Sequence, residues 1–215
     1  MEKSDKYIPA LGHDWLTPLY DPLQRWVMRE DRFKSALVDQ AQILPGHRVL
    51  DLGCGTGTLT ILIKQIHHGV EVVGLDADPK ALEIARAKAA KAGVNLTLDH
   101  GMASRLPYPD NVFDRVLSSL IFHHLTTENK QQTLRETFRV LRPGGELHIA
   151  DFGKPHGAYS RLVSVIMRRF EEAGDNFRGL LPEMILRAGF EKVEEPAPFT
   201  TLFGTLAPYK ARKPG

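Results

Sequence analysis

Cysteine is almost missing from these 215 residues. Cys54 stands alone, which excludes an intrachain disulfide and a cysteine-built zinc site and suits a reducing compartment. No apolar run approaches the roughly 20 residues of a membrane-spanning helix. The first ten residues carry Glu2 and Asp5 and lack the apolar stretch of a secretory signal, so a cytoplasmic protein without membrane insertion is expected. Charge of one sign is missing too: 28 Lys and Arg stand against 26 Asp and Glu. A nucleic-acid partner is therefore not expected, and the dense basic spots, Arg168-Arg169 and Lys210 to Lys213, read as solvated ends. The length and the 42% hydrophobic content suit one globular domain over residues 1–215.

What is present is a pattern that changes once. Over residues 19–44, Leu23, Trp26, Val27, Phe33, Leu37 and Ile43 recur at helical intervals up to Pro45-Gly46, so residues 1–45 read as an N-terminal helical cover. From His47 onward short apolar runs alternate with helical stretches, the signature of an α/β parallel sheet covered on both faces. Strands are expected at 48–52, 71–76, 95–99, 113–118, 146–151, 192–195 and 199–207. Helices are expected at 58–67, 79–92, 129–141, 158–173 and 177–188. Asp78 is placed to cap the second of these, with Pro79 in its first turn and Gly93 just past its end. Leu141-Arg-Pro-Gly-Gly145 reads as a helix stop followed by a tight turn.

The chemistry is concentrated after the first strand. Gly53, Gly55 and Gly57 alternate with Cys54 and Thr56 immediately before a helix, so a ligand can come close. The N–H groups of the turn are expected to point outward, and the helix N-terminus favours an anionic group. A dinucleotide site usually reads G-x-G-x-x-G, whereas the third glycine here comes one position early and Asp51 precedes the turn. That carboxylate suits a cationic α-ammonium, or it is a buried structural acid. Asp76, at the end of the second strand with Ala77 after it, is placed to accept bonds from ribose hydroxyls; Asp78 is explained by capping.

These segments, with Leu106-Pro-Tyr-Pro-Asp-Asn-Val-Phe-Asp114 and Leu141-Arg-Pro-Gly-Gly145 following Val49-Leu-Asp-Leu-Gly-Cys-Gly-Thr-Gly57 and Gly74-Leu-Asp76, resemble class I S-adenosylmethionine-dependent methyltransferases. The likeness is to the ubiquinone/menaquinone-biosynthesis group and covers about residues 19–213. It implies a Rossmann-like seven-stranded sheet in the order 3-2-1-4-5-7-6, last strand antiparallel. It also implies S-adenosyl-L-methionine as cofactor, with Asp51, Gly53, Cys54, Gly55, Thr56 and Gly57 around its methionine part. Asp76 and Ala77 fall at the ribose, Gly101, Met102 and Ala103 at the adenine, and Ser119 and Leu120 against the cofactor. Many relatives have an Asp where this chain has Met102, so Asp99 is a possible substitute acceptor for the adenine amino group.

The acceptor side is less defined. His123 and His124 follow the fourth strand, where ligands of open α/β sheets bind, and either is a general-base candidate or a loop organiser. Tyr20-Asp21 resembles a pair that lies over the cofactor in related enzymes, making Tyr20 a candidate for catalysis or substrate contact. Asp151, at the end of the fifth strand, is a substrate-contact candidate, and residues 153–189 are a possible lid over the acceptor. The expected reaction is in-line methyl transfer to a C, O, N or S nucleophile of a small molecule, with no metal, by a monomer or homodimer. A nicotinamide-dependent oxidoreductase and a non-catalytic sensor are the alternatives. The oxidoreductase lacks support because the Tyr209-x-x-x-Lys213 spacing falls in a tail after the last expected strand.

Overall fold

A computed structural model describes residues 30–156, 174–201 and 204–215. Most of the expected N-terminal cover, including Tyr20 and Asp21, and the helix expected at 158–173 lie outside them. Eight strands form one sheet in the order β3-β2-β1-β4-β5-β8-β6, with β7 paired to β8. They are β1 (Arg48–Leu52), β2 (Glu71–Asp76), β3 (Thr97–His100), β4 (Phe113–Ser119), β5 (Leu141–Phe152), β6 (Glu191–Glu194), β7 (Phe199–Thr201) and β8 (Gly204–Arg212). Strands β1 to β5 are mutually parallel, and β8 runs antiparallel to β5, β6 and β7.

Alternation along the strands sends side chains to two cores. Val49, Val72, Leu117 and Ala150 face α1 (Glu30–Gln40) and α2 (Thr58–Ile66), meeting Phe33, Leu37, Leu59 and Ile63. Leu50, Leu52, Val73, Leu75, Val116 and Ile149 face the other way. There they pack with Leu134 of α4 (Thr127–Val140) and with Leu181 and Ile185 of α6 (Leu181–Arg187). Burial on both faces explains why the strands read as continuous apolar runs. Helix α3 (Pro79–Lys91) forms as expected: Asp78 accepts the Lys80 N–H at 2.9 Å, Pro79 occupies the first turn, and Gly93 follows at φ 66°.

Three expectations are corrected. The final strand is not a single run over 199–207 but a hairpin whose second arm, β8, continues to Arg212. Lys210 to Lys213 is therefore no solvated end: Lys210 lies 3.3 Å from Glu146, and Lys213 donates to Asn111 and to the carbonyls of Phe138 and Leu141. Those bonds hold Lys213, just past the end of β8, at the amino-end edge of β5, while Tyr209 is buried within β8, so the two side chains of the Tyr-x-x-x-Lys spacing are held apart. Second, the helix stops where expected, α4 ending at Val140, but Arg142 to Gly145 is a bulge within β5 in place of a tight turn, because Leu141 pairs with Phe113 and the next pair is Arg115 with Glu146. Gly144, at φ 75°, supplies the left-handed residue this requires. Third, the helix expected at 177–188 is two short ones, α5 (Gly174–Arg178) and α6, separated by Gly179 at φ 72°.

Candidate active site

The carboxyl ends of β1, β2, β4 and β5 bring the chemistry-bearing residues to one edge. At the end of β1 the Gly53 and Cys54 N–H groups donate to the Leu75 carbonyl, at 2.8 and 3.0 Å, stitching the turn to β2. Gly53, Gly55 and Gly57 have φ of 71°, 52° and 76°. Each glycine is needed for a different reason. A Cβ on Gly53 would collide with the Ile121 side chain, and one on Gly57 would stand 2.9 Å from Ala85 Cβ of α3. A Cβ on Gly55 would meet nothing within 4 Å, so that face of the turn is open.

The outward-pointing N–H groups expected of this turn are largely engaged inside the protein. Besides the two bonds to Leu75, the Gly57 N–H donates to the Cys54 carbonyl and the Gly55 N–H to Asp76 Oδ2 at 2.7 Å. Closing the turn on itself and on β2 uses the donors that an anion would have taken. Asp76 also accepts the Asp78 N–H on Oδ1 at 2.8 Å, and burial raises its pKa against those bonds. Its carboxylate thus sits between the glycine turn and the start of α3, each oxygen retaining acceptor capacity.

Asp51 is fully buried beneath the turn. Thr60, in the first turn of α2, donates to its Oδ2 at 2.6 Å, while Oδ1 has no partner among the described residues. Burial pushes its pKa up to about 6, opposed by the Thr60 bond and the positive charge of Lys34. A buried carboxylate with a bare oxygen is suited to a cation arriving from the open side. Cys54 packs under the same turn, its thiol pushed well above the usual range by burial and by Asp51 and Asp76, so it is no nucleophile.

In the segment expected to border an adenine, the Gly101 N–H donates to the Asp76 carbonyl at 3.0 Å, and Met102 and Ala103 are half-buried beside it. Asp99 accepts the Tyr108 hydroxyl at 2.9 Å, a bond that already engages the proposed substitute acceptor. At the end of β4, Ser119 and the following Leu120 are half-buried; Leu120 adopts φ 59°, with its N–H on the Ala150 carbonyl. That reversal drops Ile121 onto Gly53.

The short 3-10 turn Phe122–His124 then brings the histidines to Asp151. His123 Nδ1 lies 2.8 Å from Asp151 Oδ1, and both side chains are buried. The same carboxylate accepts the Phe122 N–H at 2.8 Å, the Phe152 N–H at 2.7 Å and Asn176 Nδ2 of α5 at 3.2 Å. Burial works against its charge, but His123 and the backbone donors outweigh it and hold its carboxyl below the usual range. Asp151 is thus an ionised hub joining the β4 loop, β5 and α5. His124, stacked 3.9 Å from His123, is driven down to about 3 by burial and is neutral at physiological pH.

Sequence reading did not single out Thr60, Ile121 or Asn176. Thr60 was accessible in principle, because a buried Asp51 needs a donor from the first turns of the next helix. Nothing local marks Asn176, which meets Asp151 only through the packing of α5. Among the described residues no cluster of His, Cys, Asp or Glu could hold a metal, and no helix is long and apolar enough to cross a membrane.

The chain is similar to known methyltransferases. A family described as a methyltransferase domain matches residues 49–145. The demethylmenaquinone methyltransferase of Thermus thermophilus is 36% identical over 157 residues, 72% of this chain and 70% of that protein. The demethylmenaquinone methyltransferase of Listeria monocytogenes is 30% identical over 203 residues, 83% of this chain and 85% of that one. Among solved structures, phosphoethanolamine N-methyltransferase 2 of Haemonchus contortus with bound S-adenosyl-L-methionine shares the fold at a TM-score of 0.75 and 18% identity. That match covers 96% of this chain and 59% of that one.

Proposed function

Because the chain belongs to the class I S-adenosylmethionine-dependent methyltransferases of the menaquinone/ubiquinone type, we propose that it methylates a ring carbon of a quinol, with His123 as general base. It is an enzyme that takes S-adenosylmethionine and methylates a small molecule. The bound cofactor supplies an electrophilic methyl group on a sulfonium and leaves as the neutral thioether. The residues present suit it. Asp51 offers its bare Oδ1 to the α-ammonium, with Gly53, Cys54, Gly55, Thr56 and Gly57 around the amino-acid part. Asp76, with Ala77, takes the ribose hydroxyls, and Gly101, Met102 and Ala103 border the adenine. Ser119 and Leu120 would face the cofactor.

The acceptor class rests on the names of the relatives, demethylmenaquinone methyltransferases, and on the His123–Asp151 pair. A sulfonium needs little help to leave, so catalysis can rest largely on alignment and exclusion of water. A phenolic ring carbon, however, becomes a strong nucleophile only as its phenolate. Asp151, in contact with His123 Nδ1, orients the imidazole that takes up the phenol proton. The phenolate so formed would present its ring carbon to the methyl group that bound S-adenosylmethionine would supply. Loss of the ring proton restores aromaticity, so one proton is released per methyl transferred.

His124, neutral throughout this range, serves as the ring on which His123 rests. Asp151 acts through His123 and not on substrate. Tyr20 is assigned to the acceptor side, residues 153–189 to an acceptor lid, and the enzyme to the cytoplasm as a monomer or homodimer.

The single observation that carries the base assignment is the 2.8 Å contact of His123 Nδ1 with an ionised, buried carboxylate. Transfer of labelled methyl groups to reduced naphthoquinols, phenols, amines and thiols tests the acceptor. His123→Gln is expected to lower kcat roughly 100- to 10,000-fold while cofactor affinity holds. Label in amines or thiols but not in quinols would reject the acceptor class, and an unchanged kcat would reject the base.

A further inference from the structure

Thr60 and Asp51 are both fully buried, and the threonine hydroxyl donates to Asp51 Oδ2 at 2.6 Å. Stability alone does not call for either polar group, since replacing a buried hydrogen-bonded pair by apolar groups of the same shape can be neutral or stabilising. Thr60 sits among the buried Leu59, Ile61 and Ile63 of α2, where a valine of nearly equal volume would pack. Thr137 of α4, an equally buried helical threonine, turns its hydroxyl back to the Thr133 carbonyl of its own helix at 2.8 Å. The Thr60 hydroxyl crosses instead to β1, and its bond ties the two ends of the glycine turn together.

We propose that Thr60 is a positioning residue for the amino-acid end of the cofactor: by holding Oδ2 it fixes the Asp51 carboxylate and leaves Oδ1 to meet the α-ammonium, so that preference for ligands carrying that ammonium depends on this hydroxyl. The inference rests on Asp51 being the partner of the ammonium. With Oδ2 bonded to Thr60 and Oδ1 without a partner among the described residues, the carboxylate has one anchored oxygen and one for a ligand. A hydrogen bond to an ionised acceptor is strong and favours the charged form of a buried acid. Without it the carboxyl group turns freely, and burial favours the protonated acid, which no longer attracts a cation.

Other groups also act on Asp51. Lys34 of α1 and the backbone of Thr60 favour its charge, while Asp76 of β2 opposes it, and Cys54 of the turn lies within electrostatic reach. Replacing the Thr60 side chain by valine removes the hydroxyl and leaves all of these in place.

The test is calorimetry of the full chain at pH 7 with S-adenosylhomocysteine, which carries the α-ammonium, and with methylthioadenosine, which keeps the adenosine and the thioether but lacks the amino-acid end. In Thr60→Val the affinity for S-adenosylhomocysteine is expected to fall roughly tenfold or more, while methylthioadenosine binds as it does to the native chain. Thr60→Ser, which restores a hydroxyl, should regain most of that loss, and Thr60→Ala serves where the valine variant does not fold. Unchanged affinity for S-adenosylhomocysteine overturns the proposal. So does an equal loss for both ligands, the mark of a hydroxyl that only holds the turn together, or a serine variant as weak as the valine one. Asp51→Asn distinguishes the two assignments. If it keeps the native preference for S-adenosylhomocysteine over methylthioadenosine, the Asp51 assignment falls; if it loses that preference and Thr60→Val keeps it, the role of Thr60 alone is rejected.

Discussion

Asp51 is where burial and chemistry oppose each other most strongly. Its folded pKa, about 6, lies above the ordinary carboxylate range. The group therefore contributes full stability below that range, and the contribution is lost as pH rises through about 6. Cofactor binding has the opposite sign, because the ammonium needs the ionised form. Affinity for S-adenosylhomocysteine should fall roughly tenfold from pH 7 to pH 5 in the native chain, and Asp51→Asn should bind more weakly with little dependence on pH over that interval. Calorimetry at the two pH values checks both. Asp51, Asp76 and the glycines are legible in the sequence because they sit at fixed offsets from one strand end. Asp99 and Asp151 are not, since both are acids at strand ends and only tertiary packing decides what they meet. Tyr108 engages the first; His123 and Asn176 engage the second.

Among the elements, the turn after β1 separates fold from function within five residues. Gly57 carries the approach of α3, and a Cβ there would press on Ala85 in a left-handed backbone. Gly55 carries no packing, so Gly55→Ala should lose only about 1 kcal/mol of stability, from its φ, while S-adenosylhomocysteine binding falls at least tenfold. Gly57→Ala should lose about 2–3 kcal/mol, from the clash added to the same φ. Urea denaturation with calorimetry separates the two, and equal stability losses would contradict this division of roles. The strongest helix signals, at α2 and α3, were legible to within a residue because caps and glycines bound them. The final hairpin was not. Its arms are separated by two residues without a strong turn pair, and the basic residues of β8 resemble a tail until Glu146 and the carbonyls at the end of α4 are brought to them.

At the scale of the whole molecule, parallel strands β1 to β5 carry every loop that matters to the same edge. The strand order changes direction between β1 and β4, where open α/β sheets bind ligands. This much was legible from alternating helices and strands together with four ordered motifs. What the alternation could not reveal is that the edge is braced by a polar network running from α4 through α5 to the β4 loop. Such a network is assembled from residues 25 to 50 positions apart. The account as a whole depends on the glycine edge accepting a sulfonium cofactor and its product in preference to a dinucleotide. Titration calorimetry of the native chain with S-adenosylhomocysteine and with NAD measures this most directly. Binding of S-adenosylhomocysteine at one site per chain, with no detectable heat from NAD, is the result predicted. Saturable NAD binding without S-adenosylhomocysteine binding would contradict it.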